Sequence, residues 1–93
     1  MTSIALLGAG RIGQVHARAV SSVPKVKLVT VADPIGANAQ LVQDQYGCDI
    51  RNIDQILVSD DVDGVIICTP TDTHADLIEK FARTGKAVFC EKP

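Results

Sequence analysis

Aromatic side chains are scarce: the 93 residues hold one Tyr, two Phe and no Trp, 3% in all. A core built from this chain must therefore rest on Val, Ile, Leu and Ala, and hydrophobic residues still make up 46% of it. Long apolar runs are missing too. The opening MTSIALLGAG carries no positive charge, and its apolar stretch stops at Leu7. That is too short for a signal peptide and far short of a membrane span, so a cytoplasmic protein without membrane contact is expected. No basic stripe is visible either. Nine Lys and Arg face eleven Asp and Glu, for a net charge of −2, which argues against nucleic acid as a partner. Cys48, Cys68 and Cys90 are odd in number and form no CxxC pair, so neither a disulfide framework nor a cysteine metal site is expected. Cys68 and Cys90 each close an apolar run and read as buried free thiols.

Short β-rich runs alternate with helical stretches. Residues 3–7 (SIALL) are an apolar run that stops at glycine, as a buried parallel strand does. In residues 11–20, Ile12, Val15 and Ala19 recur at helical spacing, and Pro24 closes that stretch. Residues 26–32 (VKLVTVA) read as a second strand, residues 36–46 as a helix capped by Gly47, and residues 49–51 as a short third strand. A short helix over 54–59 precedes a wholly apolar, central strand over 64–68 (GVIIC). The next helix, 73–84, has Ala75, Ile78, Phe81 and Ala82 on one face and the pairs Asp76–Lys80 and Glu79–Arg83 on another. Gly85 ends it, and residues 87–90 (AVFC) make a fifth strand. Five strands separated by four helices predict an α/β, Rossmann-type doubly wound parallel sheet with right-handed crossovers.

The first strand runs into Gly8-Ala9-Gly10-Arg11-Ile12-Gly13, a GxGxxG that opens a helix. In that position the pattern has a physical logic. Gly8 permits the tight turn, Gly10 lets backbone approach a pyrophosphate, and Gly13 lets the helix pack close. The helix N-terminus then offers unpaired N–H groups to the phosphates. Asp33 ends the second strand, twenty positions after Gly13. A carboxylate there can accept from both hydroxyls of an adenosine ribose and would repel a 2′-phosphate, which favours NAD over NADP. The plain alternative is a phosphate-indifferent turn with Asp33 as a helix cap. The missing Gly-Lys-Ser/Thr excludes a P-loop, and an S-adenosylmethionine methyltransferase fits the third glycine less well.

Two further segments fall where the fourth and fifth strands end: Cys68-Thr69-Pro70-Thr71-Asp72-Thr73-His74 and Cys90-Glu91-Lys92-Pro93. Taken singly, these read as a capped loop and a charged pair at a strand end. With LLGAGRIGQVHA and VADP, in this order and spacing, they make the chain resemble the N-terminal half of the Gfo/Idh/MocA oxidoreductase family. The likeness covers all 93 residues, and within the family it points toward members that oxidise a cyclic polyol, myo-inositol.

The resemblance implies roles residue by residue. Gly8 and Gly13 shape the loop, and backbone at Gly10, Arg11 and Ile12 would hold the pyrophosphate of NAD. Asp33 would hold the adenine ribose. Thr69, Pro70, Thr71 and His74 would line the nicotinamide side, with Glu91 near the nicotinamide ribose. Lys92 would be the catalytic lysine, its aim fixed with help from the Lys92–Pro93 bond. Cys68, Cys90 and His16 would be packing residues. A lysine beside a cationic nicotinamide has its ammonium form disfavoured, so Lys92 could join a proton relay from the reacting hydroxyl. The expectation is one NAD-binding domain over residues 1–93, lacking a second, substrate-binding domain that would supply an aspartate and a histidine. A homo-oligomer, an exposed edge at the fifth strand and no turnover by these 93 residues alone are also expected. The rival readings are a non-catalytic NAD(H) sensor and a member of the same family acting on another sugar.

Overall fold

Side chains alternate across a strand, and in this chain both sets are apolar, so helices must cover both faces of the sheet. The computed structural model, which describes residues 1–90, has that architecture. Its elements run β1 (Thr2–Leu7), α1 (Arg11–Ser21), β2 (Val26–Ala32), α2 (Gly36–Tyr46), β3 (Asp49–Ile50), α3 (Ile53–Leu57), β4 (Gly64–Ile67), α4 (His74–Ala82) and β5 (Ala87–Cys90). A turn of 3-10 helix, Thr71–Thr73, precedes α4. All strand pairs are parallel, in the order β3-β2-β1-β4-β5. The α/β doubly wound sheet expected from the alternation of runs is therefore present.

β1 is the centre strand, and its residues divide between two cores. Ala5 and Leu7 face a cluster with Ile56 of α3 and Leu77 and Phe81 of α4. Leu6 faces the opposite cluster, with Ala17 of α1 and Ala39 and Val42 of α2. The pairing of β1 with β2 slips by one residue between Ile4 and Ala5. This irregularity lets Leu28 and Val31, three positions apart, face the same core.

The helix faces depart from the sequence reading. Ile12, Val15 and Ala19, whose spacing marks α1 as a helix, all lie on its exposed side; Ile12 is 50% and Val15 60% exposed. Gly13 and Ala17 are buried instead, because α1 lies so close to the sheet that only small residues fit beneath it. α4 likewise buries Leu77 and Phe81, while Ala75, Ile78 and Ala82 are exposed. Its two expected ion pairs are present on the solvated side. The thiols differ too: Cys48 is buried, Cys68 half-buried and Cys90 exposed among the described residues, where β5 pairs with β4 alone.

Local polar contacts fix the remaining boundaries. α3 starts at Ile53, one residue before the expected start, because Asn52 and Gln55 form a reciprocal capping box with bonds of 2.8 and 2.9 Å. Asn52→Ala is expected to cost about 1 kcal/mol, seen as a lower urea midpoint with an unchanged slope. Arg51 donates to both carboxylate oxygens of Asp61 at 2.8 Å and to Asp49 at 2.9 Å, tying β3 to the segment before β4. The Arg51 bond holds the Asp61 carboxyl below its usual value of 3.8. Its contribution to stability is thus present above that value and fades as pH falls below it.

Candidate functional site

All five strands are parallel, so their C-terminal ends open on one side of the sheet. From β1 the chain moves outward to β2 and β3, then crosses back to β4 on the other side of β1. The ends of β1 and β4 therefore flank the point where the strand order reverses, where open α/β sheets form a ligand crevice. Gly8–Gly13 follows β1, Asp33 follows β2, and Thr69–His74 follows β4. The fold brings these three segments to one edge, and Cys90 ends β5 beside them.

The glycine loop is built by close backbone contacts. Gly8 has φ +92, a left-handed conformation that side chains rarely adopt, and its N–H donates to the Ala32 carbonyl at 2.7 Å. A Cβ at Gly8 would lie 2.8 Å from the carbonyl carbon and oxygen of Cys68, so the turn is pressed against the end of β4. A Cβ at Gly13 would lie 2.0 Å from the Gly8 oxygen. The third glycine thus lets α1 rest on the loop itself, a closer contact than the helix–sheet packing expected for it.

Gly10 is different. An added Cβ there meets nothing within 4 Å, leaving open space beside the backbone. Gly10 is also the N-cap of α1, no side chain caps the helix, and the first turn holds no acid. The N–H groups of Arg11, Ile12 and Gly13, in the first turn, have no intrahelical acceptor, and the helix dipole adds partial positive charge there. Open space, uncapped donors and positive potential suit a diphosphate.

Asp33 faces this loop. One of its oxygens accepts from the Ala9 N–H at 2.6 Å, and the other from the Ile35 N–H at 2.7 Å. Its carboxylate is thereby fixed between the glycine turn and the start of α2, with lone pairs left on each oxygen for hydroxyl donors. Gln14, which the sequence reading passed over, donates to the Ala9 carbonyl at 3.2 Å and braces the same loop. A depression of about 450 Å³, lined in part by Gly10, Arg11 and Gln14, opens between α1 and α2. Another, of about 470 Å³ along β2 and β3, touches none of the candidate residues.

The β4–α4 connection is held by a chain of hydrogen bonds. The Thr73 hydroxyl donates to the Pro70 carbonyl at 2.6 Å, so its single proton is used and Thr69 donates to Thr73, also at 2.6 Å. Thr73 is the N-cap by position, but its side chain turns back into the connection and makes no cap bond. His74 Nε2 lies 2.7 Å from the Thr69 carbonyl, and its Nδ1 lies 3.1 Å from Cys90 Sγ. Nothing in the sequence pattern signals that His74 and Cys90 meet. Burial pushes the Cys48 thiol up, as befits a packing residue. Glu91 and Lys92, the candidates at the end of the chain, and Pro93 lie outside the described residues. Among the described residues no cluster of His, Cys, Asp and Glu suits a metal ion, and no helix is long and apolar enough to cross a membrane.

Comparison with known proteins returns several inositol dehydrogenases, alongside relatives named for other activities, such as a 2,7-anhydro-N-acetylneuraminate hydratase from Mediterraneibacter gnavus. An inositol 2-dehydrogenase from Rhizobium meliloti is 62% identical over 88 residues, covering 95% of this chain and 27% of that protein. A crystal structure of a candidate myo-inositol dehydrogenase from Sinorhizobium meliloti 1021 has a TM-score of 0.98 and 59% identity. It covers 100% of this chain and 28% of that one. A scyllo-inositol dehydrogenase from Lactobacillus casei, solved with NAD(H) and scyllo-inositol bound, has a TM-score of 0.91 and 28% identity, covering 100% and 28%. The chain thus spans less than a third of the length of these relatives. The family model described as oxidoreductase family, NAD-binding Rossmann fold matches residues 2–93, and this chain belongs to that family, Gfo/Idh/MocA.

Proposed function

We propose that this chain is the cofactor-binding part of an NAD-dependent dehydrogenase that oxidises a ring hydroxyl of an inositol. The observation that carries the reading is the uncapped N-terminus of α1 beside open space at Gly10, with the Asp33 carboxylate fixed against the same loop. The inositol substrate is inferred from the relatives' activity. The rest of the substrate site is assigned to a second domain that follows residues 1–93.

NAD, when bound, supplies the hydride acceptor. The chain's own residues bind and orient it. Backbone N–H groups at Gly10, Arg11 and Ile12 face the diphosphate, and Gly8 and Gly13 hold the loop in the shape that presents them. Asp33 accepts from the adenine ribose hydroxyls and repels a 2′-phosphate; the following Pro34-Ile35-Gly36-Ala37 offers no cation to offset that repulsion. Thr69, Pro70, Thr71 and His74 would line the nicotinamide side, and the family resemblance assigns Glu91 to its ribose. Lys92 would hydrogen-bond the reacting hydroxyl and take up or pass on its proton. No disulfide joins cysteines among the described residues, which suits a reducing, cytoplasmic setting.

Calorimetric titration of the full-length protein with NADH and NADPH tests this. NADH is expected to bind at least about tenfold more tightly. Asp33→Ala should weaken NADH binding by roughly 1.5–3 kcal/mol, a factor of about 12 to 140, and erase the preference. Equal affinity for the two cofactors, or binding of neither, overturns the reading. Reduction of NAD with myo-inositol and scyllo-inositol then tests the substrate.

A further inference from the structure

We propose that Gln14 is a positioning residue for the cofactor's diphosphate: by holding the Ala9 carbonyl, its side chain aims the Gly10 N–H. The inference deepens the function proposed above and rests on it.

Two consecutive peptides make the turn of the glycine loop, and they are fixed in different ways. The first joins Gly8 to Ala9. Its N–H donates to Asp33 at 2.6 Å, and its oxygen lies so near α1 that a Cβ at Gly13 would be 2.0 Å away. That peptide is held on both edges. The Ala9 methyl is fully buried as well, in the core shared with α1 and α2.

The second peptide joins Ala9 to Gly10 and has no such confinement. Glycine takes up positive and negative φ about equally well, so Gly10 itself does little to stop this peptide from turning over. It rests at φ −70 and ψ −163, and a side chain selects the orientation: the Gln14 amide donates to the Ala9 carbonyl at 3.2 Å. Gln14 is anchored beside the loop it holds, since its own N–H donates to the Gly10 carbonyl at 2.9 Å. A trans peptide is planar, with its C=O and N–H on opposite edges. Holding the Ala9 oxygen toward Gln14 therefore turns the Gly10 N–H the other way. Among the described residues nothing accepts from that N–H, which leaves it for a ligand. With this peptide reversed, a diphosphate would lose one donor and meet a carbonyl oxygen in its place.

Calorimetric titration of full-length Gln14→Met and Gln14→Glu with NADH tests this, with melting curves as the check on folding. Both replacements keep the length of the side chain and suit a helix, and neither can donate to the carbonyl. Each is expected to raise the NADH dissociation constant about tenfold, with the number of binding sites unchanged. Gln45→Met removes an amide from the same depression without touching the loop, and should shift the constant by no more than about twofold. Fewer sites at an unchanged dissociation constant, or failure of both Gln14 variants to fold, would make Gln14 a structural residue only and overturn the inference. Wild-type affinity in either folded Gln14 variant overturns it too, as does an equal loss in Gln45→Met. All of these results leave the cofactor reading standing. A wild-type protein that binds no NADH overturns both.

Discussion

Gly13→Ala is expected to destabilise the domain by more than about 3 kcal/mol, beyond the ordinary cost of overpacking. The added Cβ would lie 2.0 Å from the Gly8 oxygen and 2.8 Å from the Gly8 carbon, and both are backbone atoms with no rotamer to move. Gly8 cannot retreat, because it is pressed against the end of β4 and its N–H is bonded to Ala32. α1 must then lift by roughly 1 Å or more, and a misplacement of about that size is enough to cost 100-fold in function. Thermal unfolding and NADH titration of the full-length protein measure both effects. Gly10→Ala separates them. Its Cβ meets nothing within 4 Å, so the melting temperature should hold while NADH binding falls about tenfold or more. If Gly10→Ala binds NADH as the wild type does, the space beside Gly10 is not where the diphosphate lies.

Lys92→Ala in the full-length protein is expected to cut inositol oxidation by about 10²–10⁴-fold, the range for loss of one acid–base group. The NADH dissociation constant should change by no more than about twofold, since the diphosphate and adenosine contacts assigned to the chain come from other residues. The two readouts discriminate between functions. A dehydrogenase needs a group at the reacting hydroxyl, whereas an NAD(H) sensor needs none. Retained turnover would remove Lys92 from the chemistry, and loss of NADH binding would reassign it to the cofactor.

Much of the fold was legible in the residues. β2, α2 and β5 begin and end where their composition places them, and Gly47 caps α2 with φ +74. The glycine pattern, with Asp33 after β2, marks the loop region because those features depend on neighbouring residues. The helix faces were less legible. Helical spacing shows that residues 11–20 turn as a helix, but the buried side depends on how near the sheet lies. The close seat of α1 favours Gly13 and Ala17 over Ile12 and Val15. Cys90 was read as buried because it ends an apolar run; among the described residues it is exposed, with β5 paired to β4 alone. Thr73 has the composition of a helix cap, yet its hydroxyl bonds Pro70 and Thr69 and accepts from no helix N–H.

The sequence by itself determined the succession of strands and helices, the parallel sheet that this succession requires, and the glycine loop at Gly8–Gly13. Each follows from short-range periodicity, or from a backbone conformation that only certain residues tolerate. The tertiary structure alone decided that Asp33 grips Ala9, that Gly13 rests on the Gly8 oxygen, and that His74 meets Cys90. Those contacts join residues 5 to 24 positions apart, and their distances are set by how the sheet and its helices close on one another.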